Sequence, residues 1–224
     1  MTRIGVLLSG CGVKDGAEIH EAVLTLLALD RAGVEAVCLA PDKEQQDVID
    51  HRTGKTIKEK RNVLSESARI ARGNIKSIKE IKADDLDGLV IPGGSGAVKN
   101  LCDFATENEA CKVDPDVAEL LTDLHRKSRP IAALCIAPTI LASLFGEKHK
   151  PELTIGKDPE TATLLEKMGA RHQAVEPTQI VIDPENRLVS SPCYMTTGRI
   201  GDVALCAEKT VNALLSMVHE PVGA

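Results

Sequence analysis

Short apolar runs alternate with segments of helical periodicity along the whole chain, and this alternation constrains the fold more than any other feature. The clearest runs cover residues 3–8, 35–40, 88–91 and 130–134. Consecutive apolar positions indicate strands buried on both faces, and the helices between them supply the covering layers. The pattern therefore predicts an α/β sandwich with a mostly parallel central sheet. Because linkers, repeats and low-complexity segments are absent from the sequence, we expect a single domain over residues 1–224.

The spacing of apolar and turn residues sets the remaining expected elements. Helical periodicity predicts helices over residues 18–32, 63–71, 97–101, 117–127, 137–145, 160–168 and 198–218. Brief strands are expected at 75–78 and 153–155, and a small turn-rich excursion or hairpin at 50–56. Residues 180–182 and 188–190 flank Asp183-Pro184-Glu185-Asn186, which predicts a small β-hairpin late in the chain.

Composition argues against a nucleic-acid-binding protein. Aromatic residues make up 1% of the 224 residues, so stacking platforms for unpaired bases are scarce. The net charge of -6 also disfavours a broad phosphate-binding surface. A chain of this length buries an aliphatic core without help from metals or disulfides.

The seven cysteines indicate reduced thiols and no metal site. Their number is odd and no two of them have C-x-x-C spacing, which speaks against both a zinc site and a disulfide framework. No run approaches the ~20 apolar residues of a membrane span, and the first apolar run is too short for a signal peptide. We expect a cytoplasmic protein, or one in an organelle matrix after removal of a presequence, with no membrane partner.

Cys135 is the strongest candidate for a functional side chain. It follows the apolar run 130–134 and precedes Ile136-Ala137-Pro138, so it lies where a strand turns into a helix. The first helical N–H groups face such a position and favour a thiolate, which is the nucleophilic form of cysteine. The alternative is a buried structural cysteine, which is also common.

Two further loops also follow parallel strands, so they lie at the same edge of the expected sheet as Cys135. Ligands bind at this edge in folds of this type. One loop leads into a helix that carries Glu18 and Glu21 in its first turn. Either carboxyl could exchange a proton with Cys135, or both could simply favour the helix N-terminus. The other loop contains Gly93 and Gly94, whose N–H groups, with that of Ile136, could form an oxyanion hole.

A nucleotide site is a weaker alternative for the first loop. Residues 9–16 read Ser-Gly-Cys-Gly-Val-Lys-Asp-Gly, and Asp42 could take the position of a ribose-binding acid. The glycine spacing is one residue longer than the dinucleotide motif, however. Asp15, Glu18 and Glu21 would also repel phosphate, so we do not expect a nucleotide cofactor.

Several segments of the chain, among them the Cys135 elbow and the two loops described above, resemble the ThiJ/PfpI superfamily. This superfamily is related to class I glutamine amidotransferases and includes the Parkinson-disease-associated deglycase. The narrower resemblance is to its ElbB branch, also called sigma cross-reacting protein or isoprenoid biosynthesis protein with amidotransferase-like domain. The resemblance spans nearly the whole chain and is carried by residues 9–13, 16–27, 40–43, 61–64, 91–94, 100–101, 133–139 and 153–156.

The resemblance implies a flavodoxin-like three-layer sandwich, usually dimeric, with Cys135 as nucleophile and Glu21 as its acid–base partner. Gly94 and Ile136, with neighbouring Gly93, match the backbone groups that bind an oxyanion. The implied activity is a glutathione-independent glyoxalase that converts small α-oxoaldehydes to 2-hydroxy acids without a metal or organic cofactor. The expected partners are an aldehyde substrate and a second copy of the chain.

Departures from the wider pattern keep other functions open. Ile136 follows the cysteine where several members have His, and residues 191–195 lack the H-x-E of glutaminases. Peptidase and glutaminase activities are therefore not expected, although an amidotransferase-like subunit without glutaminase activity stays a lesser alternative. His20 could act as an accessory acid or base, and Glu18 and Cys11 could also reach the site. Alternatively, an oxidisable Cys135 could make the protein a non-enzymatic redox sensor.

Overall fold

Alternating strands and helices form the expected layered fold in the computed structural model, which describes residues 1–220. The strands are β1 (Arg3–Leu7), β2 (Glu35–Ala40), β3 (Ile49–Asp50), β4 (Lys55–Thr56), β5 (Lys76–Ser77), β6 (Gly88–Ile91), β7 (Ile131–Leu134), β8 (Glu152–Leu153), β9 (Arg171–His172), β10 (Val181–Asp183) and β11 (Leu188–Ser191). The helices are α1 (Ile19–Arg31), α2 (Val63–Ile70), α3 (Ser95–Lys99), α4 (Phe104–Glu107), α5 (Pro115–Arg126), α6 (Pro138–His149), α7 (Pro159–Lys167) and α8 (Ile200–His219).

The central sheet has seven strands in the order β10-β11-β7-β6-β1-β2-β5. All neighbouring strands are parallel except β10 and β11, which form the expected late hairpin and place it at one edge of this sheet. The predicted excursion is a second, separate hairpin of β3 and β4. The α/β class and the mostly parallel sheet are therefore confirmed.

Helices cover both faces of the sheet, and the strand residues alternate between two apolar cores. In β7, Ile131 and Ala133 join the core beneath α3 to α7, whereas Ala132 and Leu134 join the core beneath α1, α2 and α8. This alternation follows from the two-residue period of a strand. It also explains why the runs that predicted these strands are apolar at consecutive positions.

The end of β6 and the end of β7 are aligned by the register of the sheet. Ile91 pairs with Ala133, so continuing both chains by two residues brings Gly93 beside Cys135. On the other side of β7, Ser191 pairs with Leu134. Three loops therefore meet at the carboxyl edge of the sheet, where ligands bind in folds of this type.

Several boundaries differ from the sequence-based expectation. Helix α3 begins at Ser95 rather than residue 97, directly after Gly94. The strand expected at 153–155 is Glu152–Leu153, and it pairs with β9 in a separate two-stranded sheet. We expected no strand at residues 171–172, because Arg-His lacks an apolar pattern. Backbone pairing alone forms it, with Arg171 N–H donating to the Pro151 carbonyl at 2.8 Å.

Within residues 1–220, no helix is both long enough and apolar enough to cross a membrane.

Candidate active site

Cys135 occupies a strained elbow between β7 and α6. Its φ is +59°, in the left-handed region that residues other than glycine rarely adopt. Its N–H donates to the Ser191 carbonyl at 2.8 Å, and the Ala137 N–H closes the turn on the Leu134 carbonyl at 2.9 Å. Such a conformation costs about 1–3 kcal/mol and persists only where the surrounding contacts enforce it. The elbow leaves 8% of Cys135 exposed.

Glu21 is brought to Cys135 by the first turn of α1. Glu18 caps this helix, because its carboxylate accepts the Glu21 N–H at 2.7 Å. The Glu21 side chain is fully buried, and its two oxygens accept the N–H groups of Gly93 at 2.9 Å and Tyr194 at 3.3 Å. The Glu21 carboxyl also lies beside the Cys135 thiol, close enough for each group to shift the pKa of the other. Of the two candidate acids, Glu21 is therefore the one that contacts the sulfur.

The two glycines after β6 allow this close approach. A Cβ atom at Gly93 would lie 2.4 Å from the Cys135 Cβ and 2.7 Å from a Glu21 carboxylate oxygen. Gly94 has a φ of +94°, and a Cβ there would lie 2.4 Å from the Glu18 nitrogen. The backbone at these positions can approach its neighbours only because no side chain intervenes.

The N–H groups of Gly94 and Ile136 face the Cys135 sulfur, and both lower the pKa of its thiol. Two of the three groups that the sequence suggested as an oxyanion hole thus converge on one atom, whereas the third, the Gly93 N–H, donates to Glu21 instead. An oxygen formed on a carbon attached to this sulfur would lie next to the same donors. The arrangement can stabilise negative charge on the sulfur or on that oxygen.

Burial and charge repulsion disfavour a negative charge on both Cys135 and Glu21. Burial, followed by the charge of Glu18, raises the pKa of Glu21 to about 8. Two backbone N–H groups lower this pKa but are outweighed. Burial and the charge of Glu21 raise the pKa of the Cys135 thiol well above its ordinary value. The expectation that the helix N-terminus alone favours a thiolate is therefore incomplete. Desolvation and the neighbouring carboxylate outweigh the N–H groups.

His20 and Cys11, the other accessory candidates, differ in their surroundings. The half-exposed His20 ring places Nδ1 2.8 Å from the Tyr194 hydroxyl and 3.8 Å from a Glu18 oxygen, so it joins the site through these two residues. Cys11 is partly buried, and burial followed by the charge of Glu66 raises the pKa of its thiol. Cys11 therefore belongs to a polar region beside α2.

Tyr194 is a residue of the site that the sequence reasoning missed. It lies in a turn of 3₁₀ helix, Cys193–Met195, immediately after β11. Its N–H binds Glu21, and its hydroxyl contacts His20. Its position after a strand end, at the same edge as Cys135, was a usable signal. We used that segment for the absence of an H-x-E motif and assigned Tyr194 no role.

Protein groups already fill the loop that resembled a nucleotide motif. The buried Asp15 carboxylate accepts the Ile49 N–H at 2.7 Å, and Asn100 donates to the carbonyls of Ser9 and Asp15 at 2.9 and 3.0 Å. Asp42, the supposed ribose ligand, accepts from Asn62 at 2.8 Å. These bonds give the loop a structural role, consistent with the expectation that it binds no nucleotide.

A family model and several known proteins match this chain. The model of the DJ-1/PfpI family matches residues 11–191. The ES1 protein homolog, mitochondrial, of Rattus norvegicus is 41% identical over 203 residues, which cover 86% of this chain and 75% of that protein. The human glutamine amidotransferase-like class 1 domain-containing protein 3, mitochondrial, is 40% identical over the same shares of both chains.

Solved structures agree with this placement. The isoprenoid biosynthesis protein with amidotransferase-like domain from Ehrlichia chaffeensis superposes with a TM-score of 0.89 at 36% identity, covering 96% of this chain and 99% of that one. The glyoxalase III from Candida albicans gives a TM-score of 0.60 at 14% identity, with 96% and 97% covered. At that identity the likeness concerns the fold alone. Together the comparisons confirm the resemblance that the sequence motifs indicated.

Proposed function

The chain belongs to the DJ-1/PfpI family, and from the chemistry of its elbow cysteine we propose that it is a glutathione-independent glyoxalase. Its substrates would be small α-oxoaldehydes such as glyoxal and methylglyoxal, and its products 2-hydroxy acids. The observation that carries the proposal is the buried pair of Cys135 and Glu21, whose side chains lie side by side and shift each other's pKa. Cys135 is only 8% exposed, which suits a substrate of a few atoms.

The first step starts from the pair of Cys135 and Glu21 with one proton between them. With this proton on Glu21, the Cys135 thiolate attacks the aldehyde carbon and forms a C–S bond. The electrons of the C=O double bond move to the oxygen, which takes the proton from Glu21. The product is a hemithioacetal, and its oxygen develops charge near the N–H groups of Gly94 and Ile136.

The second step isomerises the hemithioacetal. Glu21, now a carboxylate, removes the hydrogen from the carbon bound to sulfur and returns it to the adjacent carbon through an enediol. The hydroxyl proton moves from the oxygen of the first carbon to that of the second. A thioester of the 2-hydroxy acid results, and water hydrolyses it to the free acid and the Cys135 thiol. A carboxyl with a pKa of about 8 is suited to giving and taking protons near neutral pH.

A competing function has weaker support. Cys135 could serve as an oxidisable sensor, since the N–H groups of Gly94 and Ile136 would also stabilise an oxidised sulfur. The raised pKa of the buried thiol opposes rapid oxidation, because the thiolate is the reactive form. An amidotransferase-like subunit is suggested only by the names of relatives.

The test is glyoxal and methylglyoxal consumption without glutathione, with chiral analysis of the lactate formed from methylglyoxal. Wild type, Cys135→Ala and Glu21→Gln are compared, and Cys38→Ala serves as the control for loss of a buried thiol elsewhere. We expect one lactate enantiomer from wild type and Cys38→Ala, and none above background from the other two. Normal turnover by Cys135→Ala would overturn the proposal. Aldehyde consumption without lactate would favour a thiol that merely traps aldehydes.

Location and assembly are further parts of the proposal. The mitochondrial names of two relatives favour the organelle matrix over the cytoplasm, and fractionation of cells that express the natural gene would decide between them.

The family resemblance implies a homodimer. Ile19, Val23 and Leu27 give α1 an exposed apolar stripe that a second copy could cover. Light scattering of wild type and of Val23→Asp would test the dimer.

A further inference from the structure

A second pair of cysteines, Cys102 and Cys111, lies outside the Cys135 site in the segment between α3 and α5. Cys102 forms an isolated antiparallel bridge with Val113. Flanking bonds hold the two backbones together, from Asp103 N–H to the Lys112 carbonyl at 3.2 Å and from Asp114 N–H to the Leu101 carbonyl at 2.9 Å. Cys111 is two residues from the bridge partner, and the two thiols are close enough for each to shift the pKa of the other.

The two sulfurs differ in charge and in access. Contact between the two thiols is the first cause of both pKa shifts, and it lowers the pKa of Cys111 to about 7 and raises that of Cys102. Cys111 also lines an open cavity of about 430 Å³ together with Ser143 and Lys167. Cys111 is therefore the sulfur with thiolate character and a route to solvent, the two conditions for reaction with an oxidant.

We propose that Cys102 and Cys111 form a reversible dithiol–disulfide couple, in which Cys111 reacts with a hydroperoxide and Cys102 resolves the product. The Cys111 thiolate attacks the outer peroxide oxygen, the O–O bond breaks, and the leaving oxygen takes up a proton. Cys111 becomes a sulfenic acid. The Cys102 sulfur then attacks the Cys111 sulfur, the S–O bond breaks, and hydroxide leaves as water with the Cys102 proton. Two thiols lose two electrons, and the peroxide gains them.

The surroundings distinguish this pair from the other cysteines. The thiols of Cys193 and Cys206 are also neighbours that shift each other's pKa, but both are fully buried, so an oxidant has no direct approach. The thiol of Cys135 has a raised pKa, because burial and the neighbouring Glu21 disfavour its thiolate. Oxidation of the proposed couple also removes the proton that Cys102 donates to the Ala97 carbonyl in α3 at 3.5 Å.

The test uses wild-type protein with a slight molar excess of hydrogen peroxide, followed by N-ethylmaleimide. Trypsin cleaves after Lys99 and Lys112 and leaves both cysteines in one peptide, residues 100–112. A glutamate-specific protease then cleaves after Glu107, between the two cysteines. We expect two fragments that stay linked, carry no maleimide on Cys102 or Cys111, and separate after reduction with dithiothreitol. The oxidised protein should run as a monomer on a non-reducing denaturing gel.

Variants assign the roles of the two sulfurs. In Cys102→Ser, the sulfenic acid at Cys111 should accumulate and be captured by dimedone, whereas Cys111→Ser should leave Cys102 unoxidised. Cys206→Ser is the matched control and should form the link as wild type does. Full maleimide labelling of Cys102 and Cys111 in peroxide-treated wild type, or a link only between separate chains, would overturn the proposal.

Discussion

The backbone N–H of Gly93 donates to the Glu21 carboxylate at 2.9 Å across a separation of 72 residues. This bond joins the loop after β6 to the first turn of α1. It fixes the carboxyl that faces Cys135, and it works against burial by favouring the charged carboxylate. The Gly93 N–H thus lowers the pKa of Glu21, although burial and the charge of Glu18 outweigh it.

Replacing Glu21 should separate thiol reactivity from turnover. In Glu21→Gln the negative charge that raises the pKa of Cys135 is lost, so this pKa should fall. Alkylation of Cys135 by iodoacetamide at neutral pH should become faster. Turnover should instead fall on the order of 10²–10⁴-fold, because the proton carrier is missing. Alkylation that slows together with turnover would contradict this account of the pair.

Removing the charge of Glu18 should shift the pH profile. Glu18 raises the pKa of Glu21 by charge repulsion, so Glu18→Gln should lower the pKa of Glu21 below about 8. The limb of the kcat/KM profile that reports Glu21 should move to lower pH by the same amount. The amide oxygen of Gln can still accept the Glu21 N–H. An unchanged profile with normal helix content would show that Glu18 acts only as a cap.

The buried carboxyl should make stability depend on pH. Glu21 has a pKa of about 8 in the folded protein against an ordinary value of 4.5, so the folded state binds more protons between these limits. The contribution of Glu21 to the unfolding free energy should therefore fall as pH rises from about 5 to about 8, by up to ~1.4 kcal/mol per pH unit. Urea denaturation across this range should show the slope, and Glu21→Gln should reduce it. A slope of equal size in the variant would assign it to other groups.

A methyl group at Gly93 should destroy the site and destabilise the fold. Gly93→Ala would place a carbon within 2.4 Å of the Cys135 Cβ and 2.9 Å of the Leu134 carbonyl oxygen, both held by the sheet. We expect a loss of about 3 kcal/mol or more, by analogy with severe overpacking. Gly201→Ala is the control, since a Cβ there meets nothing within 4 Å and alanine favours helix α8. Thermal denaturation should lower Tm only for the first.

Asn100 should matter for stability despite having no contact with the sulfur. Its side chain is buried and binds three backbone groups, the carbonyls of Ser9 and Asp15 and the N–H of Gln46. Asn100→Ala leaves them without their partner, at a cost of about 2–5 kcal/mol. Chemical denaturation should show this loss, and the exposed Asn74→Ala should change stability little. A loss below about 1 kcal/mol would mean that water replaces the amide.

The parts of the fold with strong apolar signals were predictable. Strand β6 has the bounds that its apolar run predicted, and α1 ends before Gly33 as its pattern indicated. The antiparallel hairpin after residue 180 was evident from its turn residues. Strand β9 was not, because it is formed by backbone bonds between polar residues, and such pairing leaves no periodic trace in sequence.

The site was predictable in its parts but not in its electrostatics. The elbow and the strand ends placed Cys135, Glu21 and Gly94 at one edge of the sheet. The raised pKa values depend on complete burial, which sequence patterns do not report for a single carboxyl. The contribution of Tyr194 also escaped notice, because it acts on Glu21 through its backbone N–H, a group that every residue except proline carries.

The alignment of Gly93 with Cys135 has a consequence for folding. The surroundings of the sulfur come from segments spread between Glu21 and Ser191, and the register of β6, β7 and β11 sets their relative positions. No fragment that lacks one of these segments can reproduce them. A partly folded chain would expose Cys135 as an ordinary thiol, free to react with any electrophile. The controlled reactivity of Cys135 is thus acquired only when the whole sheet has formed, and its rate of alkylation measures how completely the chain has folded.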